Sequence, residues 1–450
     1  MRMRRFLSVL ALSAGAILLM LVERIVAQPV TDQPWEALTP VPESDGLAGA
    51  CASIIGNKIY VAFGHTGNSG TANDTNRLRI YDIATDLWSF GPSAPSTSGR
   101  ADHYLGVAKG GKLFCLGGRP SNDTWSFDPA TMTWAQKAPF PDGFRVGTAS
   151  ATYGNSIFVF GGRSGDVPCQ SQATTRIRRY DVDLNSWFDA GQMTLPRSDA
   201  TVARVGGKIY LFGGCNSPVV GTAQFYDSVE IYDPRTATST LLLGATLPGG
   251  PRANLAAGDP QNGSSANASH RIHITGGWSS TGMPPPEQNH AIFDVDQLGF
   301  LTGTAMPNHC PHDQNRAEHE LLNGKDRIFA VGGACPTEGT AQSNVDMQKL
   351  SADPPVQSAS ITASSCNVST YPVCLPDPLG ISVFVTGSGF APLSTVQLTS
   401  SLQGVLLPAV TDVQGEFTSI YVDVACNGQS RTITATDADG NVATIAFNCP

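Results

Sequence analysis

Between Tyr180 and Gly214 the chain runs through short apolar stretches separated by turns, with a period too short for helices. Tyr180-Asp181 and Trp187 stand seven apart and bracket the turn Val182 to Ser186. After Pro196-Arg197 an alternating run, Thr201, Ala203 and Val205, ends in Gly206-Gly207. Lys208 to Phe212 is then almost wholly apolar and is halted by Gly213-Gly214, where the backbone must bend in a way a side chain would obstruct. Alternation of period two, short length and glycine boundaries predict four short antiparallel strands, and no segment is long and periodic enough for a helix.

This unit recurs. The first glycine of its doublet is matched at Gly64 (followed by His65), Gly117, Gly161, Gly276 and Gly332, with 44 to 63 residues between successive copies. The aromatic pair returns, again seven apart, as Tyr81 with Trp88, Phe127 with Trp134, and Phe293 with Phe300, while Tyr232 faces Ser239. A period of roughly 50 residues with one glycine doublet per copy, covering about residues 35 to 350, resembles kelch repeats. That resemblance implies an all-β fold, a β-propeller of four-stranded blades. Six copies imply six blades. Trp35 to Val41 matches the strand that follows an aromatic pair but has no blade before it, and the last copy runs out after Leu350 without such a strand. The two defects cancel if the N-terminal strand completes the sixth blade, closing the ring and hiding its sheet edges.

The ends of the chain read differently. Arg2, Arg4 and Arg5 precede an uncharged stretch from Phe6 to Val22, with small Ala27 beyond it, the pattern of a secretory signal peptide over residues 1–27, whether cleaved or kept as an anchor. The propeller is expected over 28–350, a Pro-containing linker over 351–356, and an immunoglobulin-like β-sandwich over 357–450, where six or seven strand-like runs follow one another without His or Trp. The run VTGSGFAPLSTVQL is similar to bacterial surface modules of that type. The body is therefore expected to be secreted, periplasmic or at the cell surface, and not membrane-embedded apart from the first segment. A net charge of −9, a pI near 5.3 and the lack of a basic run argue against nucleic acid as a partner.

Strand direction sorts the loops. With strands alternating up and down from centre to rim, the turn after each doublet and the link to the next blade leave from one face. There the loops are long: His65 to Asn76, Arg163 to Thr175, Cys215 to Asp227, Trp278 to His290 and Asn308 to Asn315. Variable loops on a rigid scaffold are where binding usually lives. Arg100, Arg145, Arg197, Arg252 and Arg316 each open an innermost strand, with Ala48 at that place in the first blade, and His103 and His319 each lie three residues after such an arginine. A ring of guanidinium groups at the channel mouth suits a carboxylate or phosphate, because each offers a fork of donors. The other reading is that these arginines bond carbonyls of neighbouring strands and brace the ring.

Ten cysteines in an exported chain point to disulfides. Cys169 and Cys215, and Cys310 and Cys335, fall on the loop-rich face and suit loop staples. Cys366 with Cys374, and Cys426 with Cys449, are further candidates, whereas Cys51 and Cys115 fall within strands and read as buried thiols. His309, His312 and His319 lie close together, but on a loop entering a strand rather than on a helix face, so neither a metal nor another cofactor is expected.

Three functions fit. The first is an interaction module presenting the loop face and its arginines to a glycan, an acidic small molecule or a protein. The second is an exported sialic acid mutarotase, also a six-bladed kelch family. The third is a copper radical oxidase of the galactose oxidase type, a family whose Tyr-His dipeptide and C-terminal His are missing here, His103-Tyr104 being the reverse order.

Overall fold

The computed structural model describes residues 33–450 except 68–73, 96–104, 119–120, 144, 166–168, 220, 259–269, 279–288, 308, 311–318, 324–326, 336–339, 351–359, 366–380, 389–394, 401–403, 406–407, 411–416, 424–429, 438–441 and 449–450. The expected signal peptide, Arg100, His103, Arg316, Cys366, Cys374, Cys426 and Cys449 lie outside the described residues. Among those described, every regular element is a strand, and no helix is long and apolar enough to cross a membrane.

The repeats form four-stranded antiparallel sheets. Sheet one comprises Cys51–Ile55, Lys58–Ala62, Leu78–Asp82 and Leu87–Gly91, and sheet two Leu105–Lys109, Lys112–Leu116, Thr124–Asp128 and Thr133–Lys137. Sheet three comprises Val146–Tyr153, Ser156–Arg163, Arg176–Asp181 and Ser186–Gln192, and sheet four Thr201–Val205, Lys208–Phe212, Ser228–Asp233 and Thr238–Thr246. Sheet five comprises Ala253–Gly258, Arg271–Trp278, His290–Asp294 and Gly299–Thr302. Sheet six takes Glu320–Asn323, Arg327–Val331 and Val345–Lys349 from the end of the repeats and its fourth strand, Trp35–Leu38, from the beginning. The first strands touch in succession from sheet one to sheet six, and that of sheet six touches that of sheet one.

Burial explains the sequence pattern. Second strands such as Lys58–Ala62 are apolar at consecutive positions because a neighbouring sheet covers each face, whereas the fourth strand Leu87–Gly91 keeps no residue fully buried. Six apolar clusters fill the six gaps between adjacent sheets, for example Tyr60, Phe63 and Leu78 of sheet one against Leu113, Trp125 and Phe127 of sheet two. Each such side chain contributes roughly 1.5–3 kcal/mol by leaving water.

The aromatic residues add directed bonds across the same gaps. The indole Nε1 of Trp88 donates to the Thr39 carbonyl, that of Trp134 to Pro92, that of Trp187 to Ala138, and that of Trp35 to Thr304. Each acceptor lies four residues beyond the aromatic of the preceding sheet, so Trp35 does in sheet six what the other tryptophans do in theirs. Sheet four has Ser239 at this place, and the Tyr232 hydroxyl donates to the Ala190 carbonyl instead, at 2.7 Å.

One register differs from the sequence reading. The two left-handed residues ending the second strand are Gly213-Gly214 in sheet four, with φ of 60° and 89°, but in sheet one they are Phe63-Gly64, with φ of 61° and 86°. Gly64 is thus the second member of its pair. A Cβ there would lie 2.7 Å from the Ala48 carbonyl oxygen, while Phe63 is fully buried against Trp134. The roughly 1–3 kcal/mol of left-handed strain is offset by a similar gain from burying the ring.

Beyond residue 357 the described strands form a three-stranded sheet, Ser360–Ser365, Ile381–Ser388 and Phe417–Asp423, and a five-stranded one that includes Thr395–Ser400, Ser430–Asp437 and Val442–Asn448. Val385, Val396, Leu398 and Ile433 are fully buried there.

Candidate functional site

The registers place one residue of each third strand two positions before the aromatic residue: Arg79 opposite Val61, Arg178 opposite Val159, and Glu230 opposite Leu211. Sheet six has Asp346 there, opposite Ala330, and sheet five has Ala291, opposite Ile274. Where this residue is charged, a hydrogen-bonding side chain from the link entering that sheet reaches it. Glu43 meets Arg79 at 2.6 Å, Asp142 meets Arg178 at 2.7 Å, Arg197 meets Glu230 at 3.3 Å, and His309 lies 3.0 Å from Asp346. The pairs fasten links to sheets, and their polarity reverses between sheets three and four. Through its hydrogen bond, Arg178 holds the Asp142 carboxyl below the usual carboxylate range.

Arg197 is fully occupied by these contacts. Besides Glu230, its Nη1 donates to the Gly213 carbonyl at 2.6 Å, its Nη2 to the Ser228 hydroxyl at 2.8 Å, and its guanidinium lies 5.0 Å from the Tyr226 ring centre. Both partners of the Arg197–Glu230 pair are inaccessible to solvent. At this position the bracing reading describes what the side chain does. Arg145 is half-buried, and burial, with Arg176 and Arg178 nearby, lowers its pKa against the opposing pull of Asp142. Arg252 is fully buried, and burial pushes its pKa down to about 10.

The position in sheet one is Leu47, not Ala48. Gly333 N–H bonds the Leu47 carbonyl, as Gly118, Gly162 and Gly214 bond those of Arg145, Arg197 and Arg252. The one-residue shift has the same origin as the Phe63-Gly64 register. Two residues after this position the chain is left-handed, at Gly147, Asp199 and Asn254. These residues are linked in series, Asp199 N–H to the Gly147 carbonyl at 2.7 Å and Asn254 N–H to the Asp199 carbonyl at 2.8 Å. Asp199 also forms a buried ion pair with Arg163, and a Cβ on Gly147 would lie 2.4 Å from atoms of both.

His319 is buried and its Nε2 lies 2.7 Å from the Thr275 hydroxyl, joining sheets five and six. The same region holds a histidine pair that sequence reasoning missed. His273 Nδ1 lies 3.0 Å from His290 Nε2, and His290 Nδ1 lies 2.8 Å from the Thr304 carbonyl that also accepts from Trp35. A carbonyl only accepts, so His290 donates through Nδ1 and accepts from His273 at Nε2. Burial, with the neighbouring His290 and Arg271, lowers the His273 pKa well below its ordinary value. The alternation of these residues with isoleucines in their strands signals burial but not mutual contact.

Disulfides brace the loop-rich side. Cys169–Cys215 joins loops of sheets three and four, and Cys310–Cys335 joins the link into sheet six to the loop after its glycine pair. Cys51 and Cys115, expected as thiols, are also bonded: adjacent sheets bring their Cα atoms to 5.7 Å, within the span a disulfide requires. Among the described residues, one trio of donors is close enough for a metal, Cys169, Asp199 and Cys215, and its sulfurs are committed to each other. Two short hairpins rise on this side, Cys215–Asn216 with Gln224–Phe225 and Ala334–Cys335 with Thr340–Ala341. Phe225 packs edge-on against Trp278 at 5.4 Å. At the first tip the Val219 carbonyl accepts from Ser217 Oγ and from Thr222 N and Oγ1, while Val219 itself is 65% exposed.

The repeat unit described by these registers matches the family model named Kelch motif over residues 46–95, 145–194 and 196–242. The chain carries kelch repeats. It is 30% identical over 217 residues to Kelch-like protein terF of Aspergillus terreus, covering 44% of this chain and 46% of that protein. It is 29% identical over 188 residues to Kelch-like protein 25 of Xenopus tropicalis (40% and 29% covered), and 25% identical over 283 residues to Kelch-like protein 36 of Bos taurus (61% and 42%). The chain thus spans less than half the length of these three relatives. The solved structure titled "Structure of YjhT" superposes with a TM-score of 0.51 at 15% identity, covering 68% of this chain and 95% of that one, a likeness of propeller-like fold.

Proposed function

We propose that this chain is an exported interaction protein, a six-bladed kelch propeller that binds a protein partner through its loop-rich face, followed by an immunoglobulin-like module that spaces or attaches it. Six four-stranded sheets whose first strands touch in a closed succession support the blade count, and two separate antiparallel sheets beyond residue 357 support the module. Disulfides and the N-terminal apolar segment support export. A protein partner fits what kelch domains generally bind.

The observation that carries the reading is the bracing of the loops. The Cys169–Cys215 disulfide and the locked Val219 turn hold an exposed apolar tip in one conformation, which lowers the ordering cost of association. The test is affinity capture from the native surroundings with the protein lacking residues 1–27, beside a Val219→Asp variant and a Cys169→Ser/Cys215→Ser variant of unchanged fold by circular dichroism. Partners retained by the parent and lost from both variants are expected. Equal retention by all three would remove the loop face from the interaction.

A further inference from the structure

Arg252 lacks the carboxylate that its counterpart possesses. Arg197 and Arg252 hold the same position in sheets four and five, since Gly162 N–H bonds the carbonyl of the first and Gly214 N–H that of the second. Arg197 meets Glu230, and the register puts Ala291 at the corresponding point of sheet five. The second partner is missing too. Ser228 accepts from Arg197 at both its hydroxyl and its carbonyl, whereas its counterpart Asn289 gives both ends of its amide to the Met306 backbone, at 2.9 Å each. What remains to the Arg252 guanidinium among the described residues is one bond, from Nη1 to the Pro248 carbonyl, while Nε and Nη2 are buried and without a hydrogen-bond partner there. A buried guanidinium with two idle donors is costly unless an acceptor completes it.

We propose that the idle Nε and Nη2 of Arg252, on the sheet that carries Ala291 in place of an acid, bind a small free carboxylate. The geometry of the other sheets sets the class of ligand: at the equivalent point sheet four seats a carboxylate, and Nε with Nη2 is the fork that grips two coplanar oxygens. The turn Pro248-Gly249-Gly250-Pro251, whose Pro248 carbonyl accepts from Arg252 Nη1 and whose consecutive glycines are left-handed at φ 81° and 88°, is the proposed route of entry. Backbone bonds from Leu247 to Asp227 and from Arg252 to Tyr226 anchor the turn on either side, and Gly249 and Pro251 are exposed. The turn belongs to the link into sheet five and so lies on the loop-rich side, but the site uses only Arg252 and its surroundings and stands whether or not the Val219 tip binds a protein.

Isothermal titration of the protein lacking residues 1–27 with sodium acetate, against sodium chloride, inorganic phosphate and glucose at matched ionic strength, tests this. One saturable acetate per chain is expected, with affinity on the order of millimolar. Ala291→Glu supplies the missing acid internally and should abolish acetate binding while holding or raising the melting temperature. Arg252→Lys keeps the charge, drops the fork and should weaken acetate at least tenfold. Acetate binding no stronger than chloride, binding of phosphate alone, or undiminished acetate binding in a folded Ala291→Glu or Arg252→Lys protein would each overturn the proposal.

Discussion

Sheets four and five are copies of one unit with opposite electrostatic outcomes. Both begin with a buried arginine, but Arg197 is sealed by Glu230, Ser228 and two carbonyls, whereas Arg252 has a methyl group where the acid should be. The sheets diverge elsewhere in the same manner. Tyr210 and Val229 of sheet four correspond by register to His273 and His290 of sheet five, so an apolar contact becomes a hydrogen-bonded imidazole pair. A repeat fixes where the backbone goes; the role of a repeated side chain depends on partners 17 to 33 residues away in these two cases.

The comparison breaks most sharply at Glu230. Glu230→Ala makes sheet four resemble sheet five and leaves Arg197 buried without its acid, a loss of about 3–5 kcal/mol expected from urea unfolding. A loss below 1 kcal/mol would mean that the pair is no stronger than a surface one.

Gly147→Ala comes next. The residue is left-handed at φ 64°, and the added methyl would press on Arg163 and Asp199 at 2.4 Å, so a loss of about 2 kcal/mol is expected by the same measurement. Asn254, the equivalent in sheet five, already bears a side chain, and Asn254→Ala should cost less.

The imidazole pair of sheet five predicts a sensitivity just below pH 6.5 for which sheet four has no histidine. His273 is neutral when folded, its pKa held well below the ordinary 6.5, and it takes up a proton on unfolding. The unfolded state therefore binds more protons below pH 6.5, and stability falls as pH drops through that value, by at most about 1.4 kcal/mol per pH unit for one proton. Melting temperature against pH should flatten below 6.5 in a His273→Gln variant; an unchanged slope would assign the acid sensitivity to other groups.

The smallest effect concerns the bonds between neighbouring sheets. Trp187→Phe removes the indole bond to Ala138, and Tyr232→Phe removes the hydroxyl bond that replaces it in sheet four. Each should cost about 1 kcal/mol. A much larger loss for Trp187→Phe would show that sheet four's hydroxyl is no equivalent of the indole.

The sequence by itself determined what depends on short stretches of backbone: the strand runs, the spacing of Tyr180 and Trp187, the glycine pairs, the place of Trp35 as a fourth strand without a sheet, and two cysteine pairs in neighbouring loops. These are legible because period two, left-handed turns and burial on both faces leave their mark within a few residues. Only the tertiary structure decided that Cys51 and Cys115 are bonded, that Phe63 takes a glycine's place and so moves the sheet-one position to Leu47, that Arg197 is spent on Glu230, and that His273, His290 and Thr304 form a chain beside Trp35. The physical reason is that a charge or hydrogen bond is completed by whichever atom the fold brings within about 3 Å, and nothing in the local run of residues names that atom.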